Sequence, residues 1–332
     1  MITKITINGF KSFQDFELDL VPCTVLTGRA SAGRSNIFDA LTLVSRTLLH
    51  GFDSAVTLTP RLAPAGLFHQ GMAQNGDTVS ADSFRVTVEM TTGGQNTAVE
   101  LVVRRGESPQ GPTAVLDQEA SGIWDEAGRK VPLSDGVPAD VLEEVAGWAV
   151  PAPLGTIDSG TLDMDAARRR ALLGDLAALV YGCSDVRVNE AAVEFNMERR
   201  GWVAAEYVPT STVRTLSVLA AAHGGSRNAL LLDGLEEGLA PSGAAALADR
   251  FGRRLSAGGP QLIVSTYALP VIEALEASGN AAVVVVDTAT RIVPQVQASE
   301  VSLVRHVRES YPEEHPARIV RRDRLARFIN GR

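Results

Sequence analysis

Residues 28–35 read Gly-Arg-Ala-Ser-Ala-Gly-Arg-Ser: a glycine, four residues, a second glycine, a cation and a hydroxyl. This is the spacing of a phosphate-binding loop, and it constrains the fold more than any other stretch of the chain. The flanks suit it. Cys23-Thr-Val-Leu-Thr27 is apolar and β-branched, which predicts a buried strand. Beyond the loop, Ile37, Phe38, Leu41 and Val44 recur at helical spacing. Gly28 and Gly33 let the backbone turn tightly, so that successive N–H groups face an anion. A helix starting near Ser35 adds its positive dipole end. The candidate binding residues are therefore Gly28, Ala30, Ser31, Ala32, Gly33, Arg34, Ser35 and Asn36. One position departs from the pattern, because Arg34 stands where lysine is usual. A planar guanidinium does not replace a compact ammonium where geometry is tight, so the expectation is a loop that holds phosphate without positioning it for chemistry.

The rest of the chain predicts a mixed α/β protein. Residues 1–7 and 16–20 alternate apolar and polar and read as half-buried strands around a turn, Gly9-Phe-Lys-Ser-Phe13. Residues 51–82 read as an irregular connection. Alternating strands at 84–90 and 98–103 flank Gly93-Gly94, a hairpin signal. Turn formers across 106–138 continue this β region. Helices are expected at 139–150 and 163–180, and strands at 186–189, 192–198 and 202–208. From 212 onward helix and strand alternate: helices at 212–222, 243–255 and 270–276, and apolar strands at 229–232, 261–265 and 281–286. Such alternation implies a parallel sheet with helices on its faces. The expected organisation is a core built from residues 1–50 and 211–332, with 51–210 as an inserted β-rich and helical lobe.

Composition narrows the class. The chain has 332 residues, a net charge of -8, 45% apolar and 21% charged residues, which suits an ordinary globular fold. Net acidity argues against wholesale nucleic-acid coating. Arginine clusters at 168–170 and 318–327 leave a nucleic-acid-binding module as one alternative, although such runs are usually solvated helix faces. Two cysteines, Cys23 and Cys183, do not suggest a disulfide framework or a metal cluster. No apolar stretch has the length of a membrane span or the form of a secretion signal, so a cytoplasmic protein is expected, with no membrane partner.

A phosphate loop needs a carboxylate for magnesium at the end of another strand. Leu230-Leu-Leu-Asp233 supplies one, which pairs Asp233 with Ser35 as candidate magnesium ligands. The next residue is Gly234, which has no side chain to act as a base. Glu236 and Glu237 follow closely, and Glu236 is the candidate substitute.

This order of motifs resembles the ABC-type ATPases of the SMC/RecF class, in particular the short bacterial AAA-family proteins without a coiled coil. Gly9-Phe-Lys-Ser-Phe13 and Gly33-Arg-Ser-Asn-Ile-Phe-Asp-Ala-Leu41 resemble that family's opening. Leu230-Leu-Leu-Asp-Gly-Leu-Glu-Glu-Gly-Leu-Ala-Pro241 resembles its second motif, usually D-E-P-E-x-G-L-H-P. Gln261-Leu-Ile-Val-Ser-Thr-Tyr267 resembles the strand that usually ends in threonine-histidine. Val208-Pro-Thr-Ser-Thr-Val-Arg214 stands in place of the signature, usually L-S-x-G-T-L-R. The resemblance implies a P-loop NTPase, an ABC-type head with a parallel core sheet, an antiparallel β subdomain and an inserted helical lobe. It implies ATP and magnesium as ligands, and head-to-tail pairing.

The departures fall on chemistry. Arg34 replaces the loop lysine, Gly234 the catalytic glutamate, and Tyr267 the γ-phosphate-sensing histidine. Pro209 and Ser211 replace the signature serine and glycine, while Arg214 is kept. Together they imply a pseudo-ATPase that binds ATP and magnesium weakly and serves as a scaffold or regulatory subunit. Its partner would be a second copy or an active ATPase or effector subunit. The alternative is a slow but active ATPase in DNA repair or phage defence.

Overall fold

The computed structural model describes residues 1–28, 32–57, 59–72, 78–109, 111–150, 162–189, 192–224, 228–279, 281–288 and 302–307. The chain forms two compact units, Met1–Ala146 with Ala282–Arg332, and Gly147–Ala281.

The first unit opens with β1 (Ile2–Asn8), β2 (Phe16–Asp19) and β3 (Cys23–Thr27), then α1 (Arg34–His50) and α2 (Phe52–Thr57). A short pair, β4 (Gln70–Met72) and β5 (Thr78–Ser80), precedes β6 (Ser83–Thr92), β7 (Gln95–Ser108), β8 (Gly111–Leu116), β9 (Gly122–Trp124), β10 (Lys130–Pro132) and α3 (Ala139–Ala146). β1 pairs antiparallel with both β2 and β6, and the sheet runs β10-β9-β7-β6-β1-β2 with β8 also on β7. Gly93 and Gly94, both at positive φ, make the tight turn between β6 and β7. In β6, Phe84, Val86, Val88 and Met90 are buried while their neighbours face outward, as an antiparallel sheet with one wet face requires. Phe10 and Phe68 both meet the Phe84 ring edge-on, at 5.1 and 5.3 Å between centroids.

Grouping residues 1–50 with 211–332 in one core predicts that β1, β2 and β3 share its sheet. Instead, β1 and β2 belong to the antiparallel sheet, and β3 neighbours β17 (Ala281–Thr288), which pairs antiparallel with β18 (Ser302–Val307). The physical reason lies in burial. β2 alternates buried and exposed, whereas every residue of β3 is buried. Only the second pattern suits a strand covered on both faces.

The second unit begins where a helix was expected to continue. α3 stops at Ala146, and β11 (Trp148–Ala149) pairs parallel with β15 (Ala229–Leu232). Gly147 accepts the Asn228 N–H at 2.8 Å, and a Cβ on Gly147 would fall 2.9 Å from that same nitrogen. α4 (Ala166–Leu179) is capped by Asp165, whose carboxylate accepts the Ala167 and Arg168 N–H groups at 2.9 Å. A three-stranded meander follows, β12 (Cys183–Asn189), β13 (Ala192–Met197) and β14 (Gly201–Ala204), and then α5 (Thr210–His223). β15 pairs parallel with β16 (Gln261–Ser265), and α6 (Pro241–Ser256) connects them. α7 (Leu269–Glu276) follows β16. Inside this unit Asp175 accepts from Arg250 and shares a hydrogen bond of 2.9 Å with His223, joining α4, α5 and α6.

Cys23 and Cys183 are free thiols, and burial raises both, Cys23 to about 12. No described helix is long and apolar enough to cross a membrane.

Candidate nucleotide-binding site

The candidate phosphate loop follows Thr27, the buried last residue of β3, whose hydroxyl has no hydrogen-bond partner among the described residues. Gly28 has φ 144°, and a Cβ there would lie 2.1 Å from the Val286 carbonyl oxygen in β17. No side chain fits between the two strands at that point. Arg29, Ala30 and Ser31 lie outside the described residues. Ala32 is buried, and Gly33 caps α1 in the left-handed region at φ 92°. A Cβ on Gly33 would meet Ser12 Oγ at 2.4 Å and the Phe13 ring at 3.1 Å. The Asn36 amide donates to the same Ser12 Oγ at 2.7 Å. The turn at 9–13 therefore shapes the loop's second glycine, a role that motif reading did not give it.

The first turn of α1 has no acidic residue, and no side chain caps it. Its N–H groups and dipole end favour an anion. Arg34, the first helical residue, is buried, and Ser35 and Asn36 are half-buried. One turn further on, Asp39 is held by two cations: Lys11 Nζ at 2.7 Å, and the Arg61 fork through Nε at 3.0 Å and Nη2 at 2.9 Å. Burial is the larger influence on Lys11 and lowers its pKa against the pull of Asp39. Sequence reasoning missed this cluster, because its members come from three separate segments.

The second unit carries the other candidates. Asp233 follows β15, and its Oδ1 accepts the Ser265 hydroxyl at 2.7 Å. Ser265 Oγ in turn accepts the Gly234 N–H at 2.8 Å. Gly234 adopts φ 67°, so the residue in the base position also makes a left-handed turn. Arg214, buried in α5, donates through Nη2 to the carbonyls of Asp233 and Gly234 at 3.2 and 3.3 Å. Burial lowers the Arg214 pKa, and Glu237, Asp233 and Glu236 oppose that. Glu236 Oε1 accepts the Tyr267 N–H at 2.5 Å, while its buried Oε2 has no partner among the described residues. Tyr267 is 43% exposed. Pro209 caps α5, and the Ser211 carbonyl accepts the Thr215 hydroxyl at 2.8 Å.

Arg214, Asp233 and Gly234 are thus gathered at one loop, and Glu236 with Tyr267 at the same loop's far side. Ser35 belongs to the first unit and Asp233 to the second. Among the described residues no group of three His, Cys, Asp or Glu side chains could hold a metal ion by itself.

No protein-family model matches the sequence, and no curated protein matches it. Solved structures do match. An SMC head bound to the C-terminal winged-helix domain of ScpA is 15% identical, covers 92% of this chain and 98% of its own, and gives a TM-score of 0.62. An SMC head domain with a coiled coil and joint, derived from Pyrococcus yayanosii, is 11% identical, with coverage of 97% and 99% and a TM-score of 0.58. The SMC head domain from Thermotoga maritima is 17% identical, with coverage of 93% and 99% and a TM-score of 0.51. The chain has the fold of SMC head domains, a mixed α/β architecture with parallel and antiparallel pairing.

Proposed function

We propose that this SMC-head-like chain is a pseudo-ATPase: it binds ATP with magnesium weakly, hydrolyses it little or not at all, and works in the cytoplasm as a scaffold or regulatory subunit. The observation that carries the reading is Gly234. The place of the base holds a glycine at φ 67°, fixed by Ser265 and Arg214. Without a side chain it can neither take a proton nor orient a water molecule.

The first unit suits a phosphate group. α1 presents an uncapped first turn without acid, behind two glycines whose backbone leaves no room for a Cβ. Loop N–H groups and Arg34 would hold phosphate oxygens, and Ser35 would supply an oxygen ligand to magnesium. Magnesium would neutralise phosphate charge. In the second unit, Asp233 engages Oδ1 with the Ser265 hydroxyl, which leaves Oδ2 to take a cation. The partner would be a second copy or an active ATPase or effector subunit. One of the similar SMC heads was captured with a ScpA domain, which supports a scaffold reading here.

A slow ATPase is the second reading, and it rests on Glu236. That carboxylate already accepts the Tyr267 N–H. Its other oxygen, Oε2, is buried and so not presented to a water molecule, which favours the first reading. The deciding experiment measures phosphate release and nucleotide binding on one preparation. Measurable binding with turnover far below about 1 s⁻¹ supports the pseudo-ATPase; turnover near that rate, abolished by Asp233→Asn, overturns it.

A further inference from the structure

Beside β7 two strands share one column: β9 pairs with Ala98, Val99 and Glu100, and β8 pairs with the stretch from Val103 to Ser108. β10 fills the next column beside β9, but among the described residues no strand fills it beside β8. A cleft of about 660 Å³ opens there, lined by Ala114, Val115 and Leu116 of β8, by the end of α1 and start of α2, and by Leu133 and Val137 just after β10.

The hydrogen-bond parity shows which backbone groups face this space. Asp117 N–H donates to the Val102 carbonyl, so Val115 and Thr113 also point their backbone groups at β7. Ala114 and Leu116 point theirs the other way, and neither has a hydrogen bond among the described residues. Pro112, with no N–H to donate, stands at an outward position too, as an edge strand allows. The 3-10 turn Pro64–Gly66, which packs near β8, makes no hydrogen bond to either residue. One further feature bears on the occupant's charge: the exposed Asp53 is the one carboxylate of a lining that has no lysine or arginine and a single histidine, His50.

We propose that β8 is a docking edge for an extended, basic segment of a partner protein, which adds as a strand and sets a cationic side chain against Asp53. Two outward residues in register, about 7 Å apart, match the repeat of an extended chain. The charge of the lining selects its sign. The edge lies at the end of α1 opposite the phosphate loop, roughly 24 Å along the helix, so the inference is independent of nucleotide binding.

The test is fluorescence anisotropy on the full chain with a labelled peptide of alternating lysine and valine. Saturable binding is expected, with the glutamate–valine counterpart at least about tenfold weaker. Ala114→Pro removes an outward N–H without touching the β7 ladder and should weaken the lysine peptide about tenfold. Asp53→Asn should weaken it about threefold, and covers the case in which the proline variant fails to fold. No saturable binding, equal binding of both peptides, or full affinity in both variants would each overturn the proposal. So would a self-associated chain that Ala114→Pro dissociates, since the occupant would then be a second copy.

Discussion

Ser265 donates its hydroxyl proton to Asp233 Oδ1 at 2.7 Å, while its own Oγ accepts the N–H of Gly234, the residue after Asp233, at 2.8 Å. One hydroxyl thus sets both the carboxylate and the turn beyond it. With Arg214 on the neighbouring carbonyls, the loop after β15 is tied from two elements, β16 and α5.

Ser265→Ala removes both bonds and leaves the Gly234 N–H without its acceptor. The expected loss is about 1–2 kcal/mol in urea unfolding. An unchanged midpoint would mean that the loop needs no such anchor.

Gly234→Glu supplies the missing carboxylate but should not restore hydrolysis. At φ 67° a side chain is strained, and a Cβ would stand 2.9 Å from the Glu237 side chain, which must move aside. A destabilisation of about 1–2 kcal/mol is expected, with phosphate release unchanged. A hundredfold gain in release would show that the remaining site is complete and only the base was missing.

Arg34 is the position where the loop departs from lysine, and it is buried at the start of α1. Arg34→Lys should tighten magnesium-ATP binding several-fold, about 1 kcal/mol, because a compact ammonium leaves room for phosphate oxygens. Arg34→Ala separates two roles for the guanidinium: weaker binding if it holds phosphate, tighter binding if it fills the phosphate space. Titration calorimetry with and without magnesium reads all three proteins. Should no protein bind, the loop is a structural relic.

Stability should fall in mild acid. Burial, and then Arg254, lower the His223 pKa below 6.5, although Asp175 pulls the other way and Arg250 competes for that carboxylate. Folded His223 therefore binds a proton less readily than it does in the unfolded chain. Its contribution is complete above pH 6.5 and is lost as pH falls through the lower, folded pKa. The melting temperature should drop between about pH 7 and pH 5, and His223→Gln should flatten that slope. An equal slope in the variant would assign the acid sensitivity to other groups.

β3 and α1 were legible because a fully apolar strand and a helical apolar stripe are local signals. β15 and β16 were legible for the same reason. Which sheet β1 and β2 would join was not, because alternation reports one buried face and not the neighbour. β11 was hidden as two residues behind a helix. The same limit applies at the site. The types and order of Asp233, Gly234 and Tyr267 could be read, but the Glu236 bond to the Tyr267 N–H could not. Neither could the support of Gly33 by Ser12, nor the Lys11–Asp39–Arg61 cluster, since each joins segments distant in sequence.

The contact between Gly28 and Val286 also bears on biogenesis. β3 finds its neighbour β17 only after roughly 260 further residues have left the ribosome, counted from 27 to 288. At synthesis rates of about 5–20 residues per second, a fully apolar strand waits tens of seconds for that pairing. Its exposure in that interval makes the nascent chain a client for holding chaperones and a hazard for aggregation, and truncation before residue 281 should leave the phosphate loop without its neighbouring strand.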